Sequence, residues 1–297
     1  MKIAVVGSGI SGLGAAYILG KNHQVDLYEK DQRLGGHTHT HALEIDHKIN
    51  VDSGFIVFND ENYPNLIKFF NELEVKTDDT DMSFSVTSST NTWSSNEFKS
   101  LWTFLKPSKL RFLKDIVNFN HAAQIDAFGI SFNQWLSQKN FSKIFINEYV
   151  LPMTAAIWST PMKSIGEYPI ESMLAFLRNH GLLKLINTPQ WHFVVNGSAS
   201  YVSAILKSGN IKNVFTGESP IIKRSNHQWH LQTSNHDCSY DLVVIATHAN
   251  EVPELLANYK DLSFMSEFSY NTNKTVLHTD ESFMPIRKEL WSSWNSF

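Results

Sequence analysis

Apolar and polar positions along this chain change period from two to about 3.6 and back again, which sorts it into strands and helices before any residue type is weighed. Residues 1–6 are an apolar run of strand length, and residues 13–19 carry apolar positions at helical spacing. Val25-Asp26-Leu27-Tyr28-Glu29 is a second strand. Alternation over 37–45, resumed at 49–52, predicts two short strands around the turn Asp46-His47-Lys48. Leu66, Phe69, Phe70 and Leu73 predict a helix, with Pro64 suited to its first turn. Residues 83–87 alternate as a strand, with Asn91-Thr92-Trp93 as hairpin partner.

The helical period dominates 101–186. Ser108 is placed to cap a helix running to Ala123, Ser131 to cap one holding Trp135 and Leu136, and a third covers 171–178 before Gly181. Strand character returns at 191–195, followed by a helix over 198–207 and short strands at 214–215, 221–224 and 229–232. The continuous run 240–246 suits one strand of a parallel sheet covered on both faces, and 275–278 is the last predicted strand. Sheet-forming segments thus stand at both ends of a mostly helical middle, which predicts a discontinuous domain with an insertion.

The turn after the first strand is Gly7-Ser8-Gly9-Ile10-Ser11-Gly12, and the second strand ends on Glu29, about twenty residues beyond these glycines. Gly7 permits the tight turn, Gly9 lets the backbone approach a pyrophosphate, and Gly12 lets the helix pack hard on the strand. The free amides at the helix start face the phosphates, with the positive end of the helix dipole behind them. Glu29 sits where a carboxylate accepts hydrogen bonds from both hydroxyls of an adenosine ribose. Strand, turn, helix, second strand and acid fall in register, so the block reads as a dinucleotide site. Lys2 and the apolar run behind it mimic a secretory leader. The early glycines, and Gly20-Lys21-Asn22 where a small-residue cleavage site would stand, speak against one.

The 297 residues suffice for about two domains, and a net charge of −4 supplies no basic field for a nucleic-acid partner. Cys238, in what reads as a turn, is the only cysteine; it excludes an internal disulfide and fits a reducing cytoplasm. No stretch reaches the roughly eighteen apolar residues of a membrane-spanning helix. Twenty Phe and eight Trp imply apolar surface beyond a minimal nucleotide domain, as an ordinary aromatic core or as the wall of a site for a bulky apolar substrate. Residues 101–114 mix aromatics with four basic residues. That composition suits a segment lying on an anionic bilayer, and equally a solvated basic helix face packed through its apolar side. His37, His39 and His41 would share one strand face, as metal ligands or as polar strand residues; no further ligand type stands at metal-binding spacing.

Glu29, five residues, then Gly35-Gly36, continuous with the glycine turn, resembles the extended motif of the flavin-containing amine oxidase superfamily, which includes amine oxidases, protoporphyrinogen oxidases and carotenoid desaturases. Arg33-Leu34-Gly35-Gly36-His37-Thr38-His39-Thr40 and Val51-Asp52-Ser53-Gly54-Phe55-Ile56-Val57-Phe58-Asn59 resemble blocks of one bacterial branch, described as predicted NAD/FAD-binding proteins. So do Asp81-Met82-Ser83-Phe84-Ser85-Val86, Leu151-Pro152-Met153-Thr154-Ala155-Ala156-Ile157-Trp158-Ser159 and Val244-Ile245-Ala246-Thr247-His248-Ala249.

The resemblance implies an α/β fold: a discontinuous Rossmann-like FAD-binding domain, residues 1–62 plus 191–250, with an inserted, mostly helical α+β substrate domain, residues 63–190 plus 251–297. FAD rather than NAD is the implied cofactor. Gly7, Ser8, Gly9, Ile10, Ser11, Gly12, Glu29 and Lys30 would hold its ADP half, and Gly35, Gly36, His37 and Thr38 the flavin side of the pyrophosphate. Gly54 and Phe55 would lie near the isoalloxazine, the backbone of Ile221 at the adenine, and Ala246 and Thr247 beside the cofactor. Phe58, Asn59 and Trp158 would wall the substrate cavity, with core packing the competing role for Phe58 and Trp158. In such enzymes the flavin takes a hydride equivalent while the protein orients and excludes water, so no catalytic side chain is assigned. The expected substrate is an apolar small molecule, lipid-like if 101–114 meets a membrane.

Two departures qualify the transfer. His37 stands where amine oxidases usually carry Arg, which weakens any carry-over of amine substrates. Family members also continue past the block resembling Leu290-Trp291-Ser292-Ser293-Trp294-Asn295 into a glycine-rich return to the nucleotide domain, which implies that this chain is cut short at Phe297. The competing readings are a truncated, non-catalytic nucleotide-binding remnant or partner, and an NAD-dependent dehydrogenase.

Overall fold

The computed structural model describes residues 1–88, 92–99, 107–158, 160–184, 188–256, 259, 262–270, 272 and 274–297. The chain divides into two compact units: Met1–Val57, Asn65–Asp78 and Phe193–Thr275 form the first, and Phe58–Pro64, Asp79–His192 and Val276–Phe297 the second. Relative to the boundaries read from sequence, residues 65–78 and 251–275 lie in the first unit. Aromatic contacts give the reason. Phe69 meets Tyr17 edge-on at 5.2 Å and Phe70 meets Tyr201 at 5.5 Å, while Tyr259 stacks on Trp229 and Tyr270 on His248.

In the first unit, β1 (Lys2–Val6) lies between β2 (Gln24–Glu29) and the strand Leu242–Ile245, with Asn213–Thr216 beyond β2, all parallel. Ile3, Ala4, Val5 and Val6 are buried, as a central parallel strand requires. The helix α1 (Ile10–Gly20) buries Leu13, Ala16 and Tyr17 against this sheet. The buried Asp26 is carried into the core with its partners. Asp26 accepts hydrogen bonds from the Tyr240 hydroxyl at 2.9 Å and Asn213 Nδ2 at 2.7 Å, and the Tyr28 and Tyr240 hydroxyls pair at 2.8 Å. Burial pushes the Tyr28 phenol up to about 12 and Tyr240 higher still, so both remain protonated at neutral pH.

The run 240–246 is two strands, not one. Asp237–Tyr240 joins the antiparallel sheet of Ile221–Ser225 and Gln228–Gln232, whereas Leu242–Ile245 joins β1. Asp241 makes the change of sheet: its carboxylate accepts the Lys2 N–H at 2.8 Å and its own N–H donates to the Lys2 carbonyl at 2.8 Å. Leu242–Ile245 is an edge strand of this four-stranded sheet; it meets α1 and the Gln228–Gln232 strand, and Leu242 at its start is 39% exposed. Cys238 accordingly lies in a strand rather than a turn, opposite the buried Leu231.

The predicted ribbon forms between β3 (Thr40–Glu44) and β4 (Lys48–Asp52). It anchors the helix Ala199–Lys207: Asp52 accepts the Ser198 N–H and hydroxyl at 2.9 and 2.8 Å, and Thr40 Oγ1 accepts the Ala199 N–H at 2.9 Å. His37 and His39 precede this ribbon, so the three histidines do not share one strand face.

The second unit is built on rings. Helix Pro107–Ala122 buries Phe112, Ile116 and Phe119 at successive turns, while Arg111 and Lys114 face solvent. Residues 101–106 of the basic aromatic segment lie outside the described residues; the described remainder belongs to a helix on which Arg111 and Lys114 are exposed. Ser131 caps Phe132–Ser137 in a reciprocal box with Gln134. Phe84–Thr87 pairs antiparallel with Thr92–Ser94, as the alternation predicts, and parallel with Trp294–Ser296, which the sequence reading missed. Residues 275–278 form no strand among the described residues, and Val276 and Leu277 are exposed. Among the described residues no helix is long and apolar enough to cross a membrane.

Candidate dinucleotide site

The G-x-G-x-x-G turn is closed by backbone contacts that only glycine permits. Gly7 has φ +101°, and a Cβ there would stand 2.6 Å from the Ala246 carbonyl oxygen. A Cβ on Gly12 would stand 1.8 Å from the Gly7 carbonyl oxygen. Gly9 differs from both, because a Cβ there would meet nothing within 4 Å. Its side-chain direction is open space beside the first turn of α1, where Ile10 and Ser11 are exposed and no side chain caps the free amides.

A second glycine loop leans on the first. Gly36, at φ +58°, would place a Cβ 2.9 Å from Gly9 Cα, and Gly35, at φ +114°, donates its N–H to the Ser8 carbonyl and hydroxyl oxygens, each at 3.1 Å. Arg33 staples this loop by donating to the carbonyl oxygens of Thr38 at 2.6 Å and Gly36 at 2.8 Å. Thr38 is buried and shares a hydrogen bond with the Tyr201 hydroxyl. Gly54 packs on the chain just beyond, where a Cβ would lie 1.7 Å from the His37 carbonyl oxygen. Phe55 donates its N–H to that oxygen at 3.3 Å and meets Tyr201 edge-on.

Glu29 is buried beneath the turn. Its Oε2 accepts the Ser8 N–H at 2.8 Å and hydroxyl at 2.6 Å, and its Oε1 accepts the Asp31 N–H at 3.0 Å. A carboxylate has about four acceptor positions, so one remains on Oε1. Lys30 forms an ion pair with Glu251, which holds the lysine above its ordinary range. Alongside, Glu218 donates its N–H to the Glu29 carbonyl at 2.8 Å, which brings the segment leading to Ile221 next to the end of β2. Ile221 opens its strand with an exposed side chain.

Residues 5–73 match the family model described as an NAD(P)-binding Rossmann-like domain. A stretch of 46 residues is 48% identical to an L-amino-acid oxidase of Pseudechis australis, covering 15% of this chain and 9% of that protein. Among solved structures, an oxidoreductase from Methanosarcina mazei aligns with a TM-score of 0.63 at 19% identity, over 90% of this chain and 64% of its own. Cyclohexylamine oxidase from Brevibacterium oxydans aligns at 0.61 and 15% identity, over 85% of this chain and 59% of its own. Putrescine oxidase bound to putrescine aligns at 0.62 and 18% identity, over 84% and 59%. The chain has a Rossmann-like fold and shares it with these structures over most of its length. It spans less than two thirds of the length of each of these structures, and the matched stretch covers under a tenth of the Pseudechis australis oxidase.

The residues present fit the ADP half of such a cofactor. Gly9 leaves a cradle that any side chain would fill, the α1 amides point at it, and Glu29 keeps an acceptor position for a ribose hydroxyl. Gly7, Gly12, Gly35 and Gly36 shape that cradle, and Ala246 and Thr247 back it, with Ala246 donating its N–H to the Val6 carbonyl at 2.8 Å. Lys30 is committed to Glu251 and Thr38 to Tyr201, so their side chains support the loops.

The residues expected to wall a substrate cavity all belong to the second unit. Phe58 and Asn59 are buried in a short strand opposite Trp191 and His192, and Phe58 packs against Tyr63 and His192. Trp158, half-buried, packs on Phe176 at 4.4 Å. The histidines part company: His39 and His41 lie with ring centroids 3.9 Å apart and planes tilted by 34°, His41 bonds Ser53, and His37 turns to His248. Among the described residues no three His, Cys, Asp or Glu side chains gather as a metal site. Arg33, Asp52 and Glu251 were not singled out from sequence, since a lone charged residue carries no signal of the backbone group it will bind.

Proposed function

We propose that this chain is an FAD-dependent oxidoreductase of the amine-oxidase type, acting on an apolar small molecule, with the first unit as its cofactor domain and the second as its substrate domain. The observation that carries the cofactor is the Gly9–Gly36 contact: two glycine loops meet backbone to backbone and leave the outer side of Gly9 open beside uncapped helix amides. Bound FAD would accept a hydride equivalent from the substrate. The chain's own part is to bind and orient: α1 amides on the diphosphate, Glu29 on the ribose, the 35–38 loop and Gly54-Phe55 beyond it. The aromatic second unit supports an apolar substrate, and the lone Cys238 supports residence in a reducing cytoplasm.

The test is flavin content. The purified chain should carry flavin absorption or regain it when refolded with FAD, and FAD should quench tryptophan fluorescence at lower concentration than NADH does. A colourless protein that takes up no FAD would sink the proposal, and tighter binding of NADH would favour a dehydrogenase.

A further inference from the structure

The cradle has two lips, and each ends in a histidine. One lip is the Gly35-Gly36 loop, which rests on Gly9 and is followed by His37. The other is the chain leaving Leu242–Ile245, where Ala246 rests on Gly7 and His248 follows. The two imidazoles meet with ring centroids 5.4 Å apart and planes 32° from parallel. His248 is stacked in turn on Tyr270, at 4.3 Å and 10°, and the Tyr270 hydroxyl accepts the Ala249 N–H at 3.0 Å. Glu251 holds this lip from behind, accepting the His248 N–H at 3.2 Å while paired to Lys30, the residue after Glu29. All three rings are exposed, so core burial does not account for their alignment.

We propose that His37 and His248 form a clasp across the mouth of the cradle, donating ring N–H groups to the diphosphate of a bound dinucleotide, with Tyr270 holding His248 in place. This rests on the cofactor reading above. An imidazole keeps at least one N–H donor in either protonation state, and bonds to a charged acceptor are the strong ones. Each lip is already fixed by glycine contacts, so the rings need little ordering on binding.

Titrations of the full chain with FAD, ADP and adenosine test the clasp. His248→Phe keeps a ring on Tyr270 and removes the donors; its Kd for FAD and for ADP should rise about tenfold, with adenosine unchanged. His37→Phe should behave alike, Tyr270→Leu should lose less, and His248→Gln, which retains an N–H, should recover part of the loss. FAD and ADP affinities within about twofold of wild type in both Phe variants would overturn the clasp and leave the cofactor reading standing. Equal losses for adenosine and ADP would also overturn it, marking a distorted cradle. A wild-type chain that binds neither FAD nor ADP would overturn the cofactor reading itself.

Discussion

The cradle of the first unit and the core of the second are held by opposite means. In the cradle, Gly7, Gly12, Gly36 and Gly54 bring backbone against backbone, and the buried carboxylate of Glu29 is met by donors at fixed points. In the second unit rings hold rings: Phe119 meets Trp135 at 5.8 Å and Phe145 at 5.8 Å, and Phe145 stacks on Tyr149 at 5.2 Å. Backbone contact tolerates no added atom, whereas side-chain packing accepts many combinations of similar volume. A nucleotide loop therefore leaves a readable pattern in the sequence, and an aromatic core leaves only a composition.

Adding atoms to the cradle is the sharpest test of that contrast. Gly12→Val sets a Cβ 1.8 Å from the Gly7 carbonyl oxygen. A stability loss of about 4 kcal/mol or more, or failure to fold, is expected in urea denaturation, and a native-like midpoint would break the comparison. Removing atoms from the second unit comes next: Phe145→Ala should cost about 3–5 kcal/mol and Phe145→Leu only about 1.5 kcal/mol. Equal losses for the two would mean that ring geometry, not volume, holds this core.

Gly9 and Gly14 separate fold from site, since a Cβ on either meets nothing within 4 Å. Gly14→Ala, inside α1, should stabilise by up to about 1 kcal/mol and leave FAD affinity alone. Gly9→Ala keeps an allowed backbone, at φ −64° and ψ 176°, so its melting should barely move. Its FAD affinity should nonetheless fall about tenfold or more, because the methyl occupies the phosphate's place. Loss of stability with retained affinity would refute that assignment.

The smallest effect belongs to the surface. Hydrogen bonds from Lys21 and Tyr17 hold the Glu72 carboxyl below its ordinary range. A depressed folded-state value means that its contribution is full at neutral pH and is lost as pH falls through that value. Glu72→Gln should melt slightly below wild type near neutrality, and the two curves should converge in acid.

Much of this was legible beforehand because glycine, alternation and capping residues act locally. The turn at 7–12, the 40–44 and 48–52 ribbon and the Ser131 capping box each depend on neighbours within a few residues. What escaped depends on partners far away. Hydropathy alone cannot show that Asp241 breaks an apolar run by binding Lys2, nor that residues 294–296 pair with 84–86. His248 and Tyr270 have no shared motif to join them to His37. Phe58 and Trp158 show the limit from the other side: block similarity assigned both to a substrate wall, while the rings they pack on, Tyr63 and Phe176, carry no local signal.

The junction at Asp241 also sets a schedule for synthesis. β1 is made first, yet its partner strand on one side begins at residue 242, and the carboxylate that receives the Lys2 N–H lies 239 positions downstream. At about 5–20 residues per second a ribosome takes roughly 12 to 48 seconds to cover that interval. Throughout it one rim of this largely buried strand is without its mate, the condition under which nascent chains stick to one another. Chaperone demand in the cell should therefore follow the arrival of the last fifth of the chain more than the stability of the finished molecule.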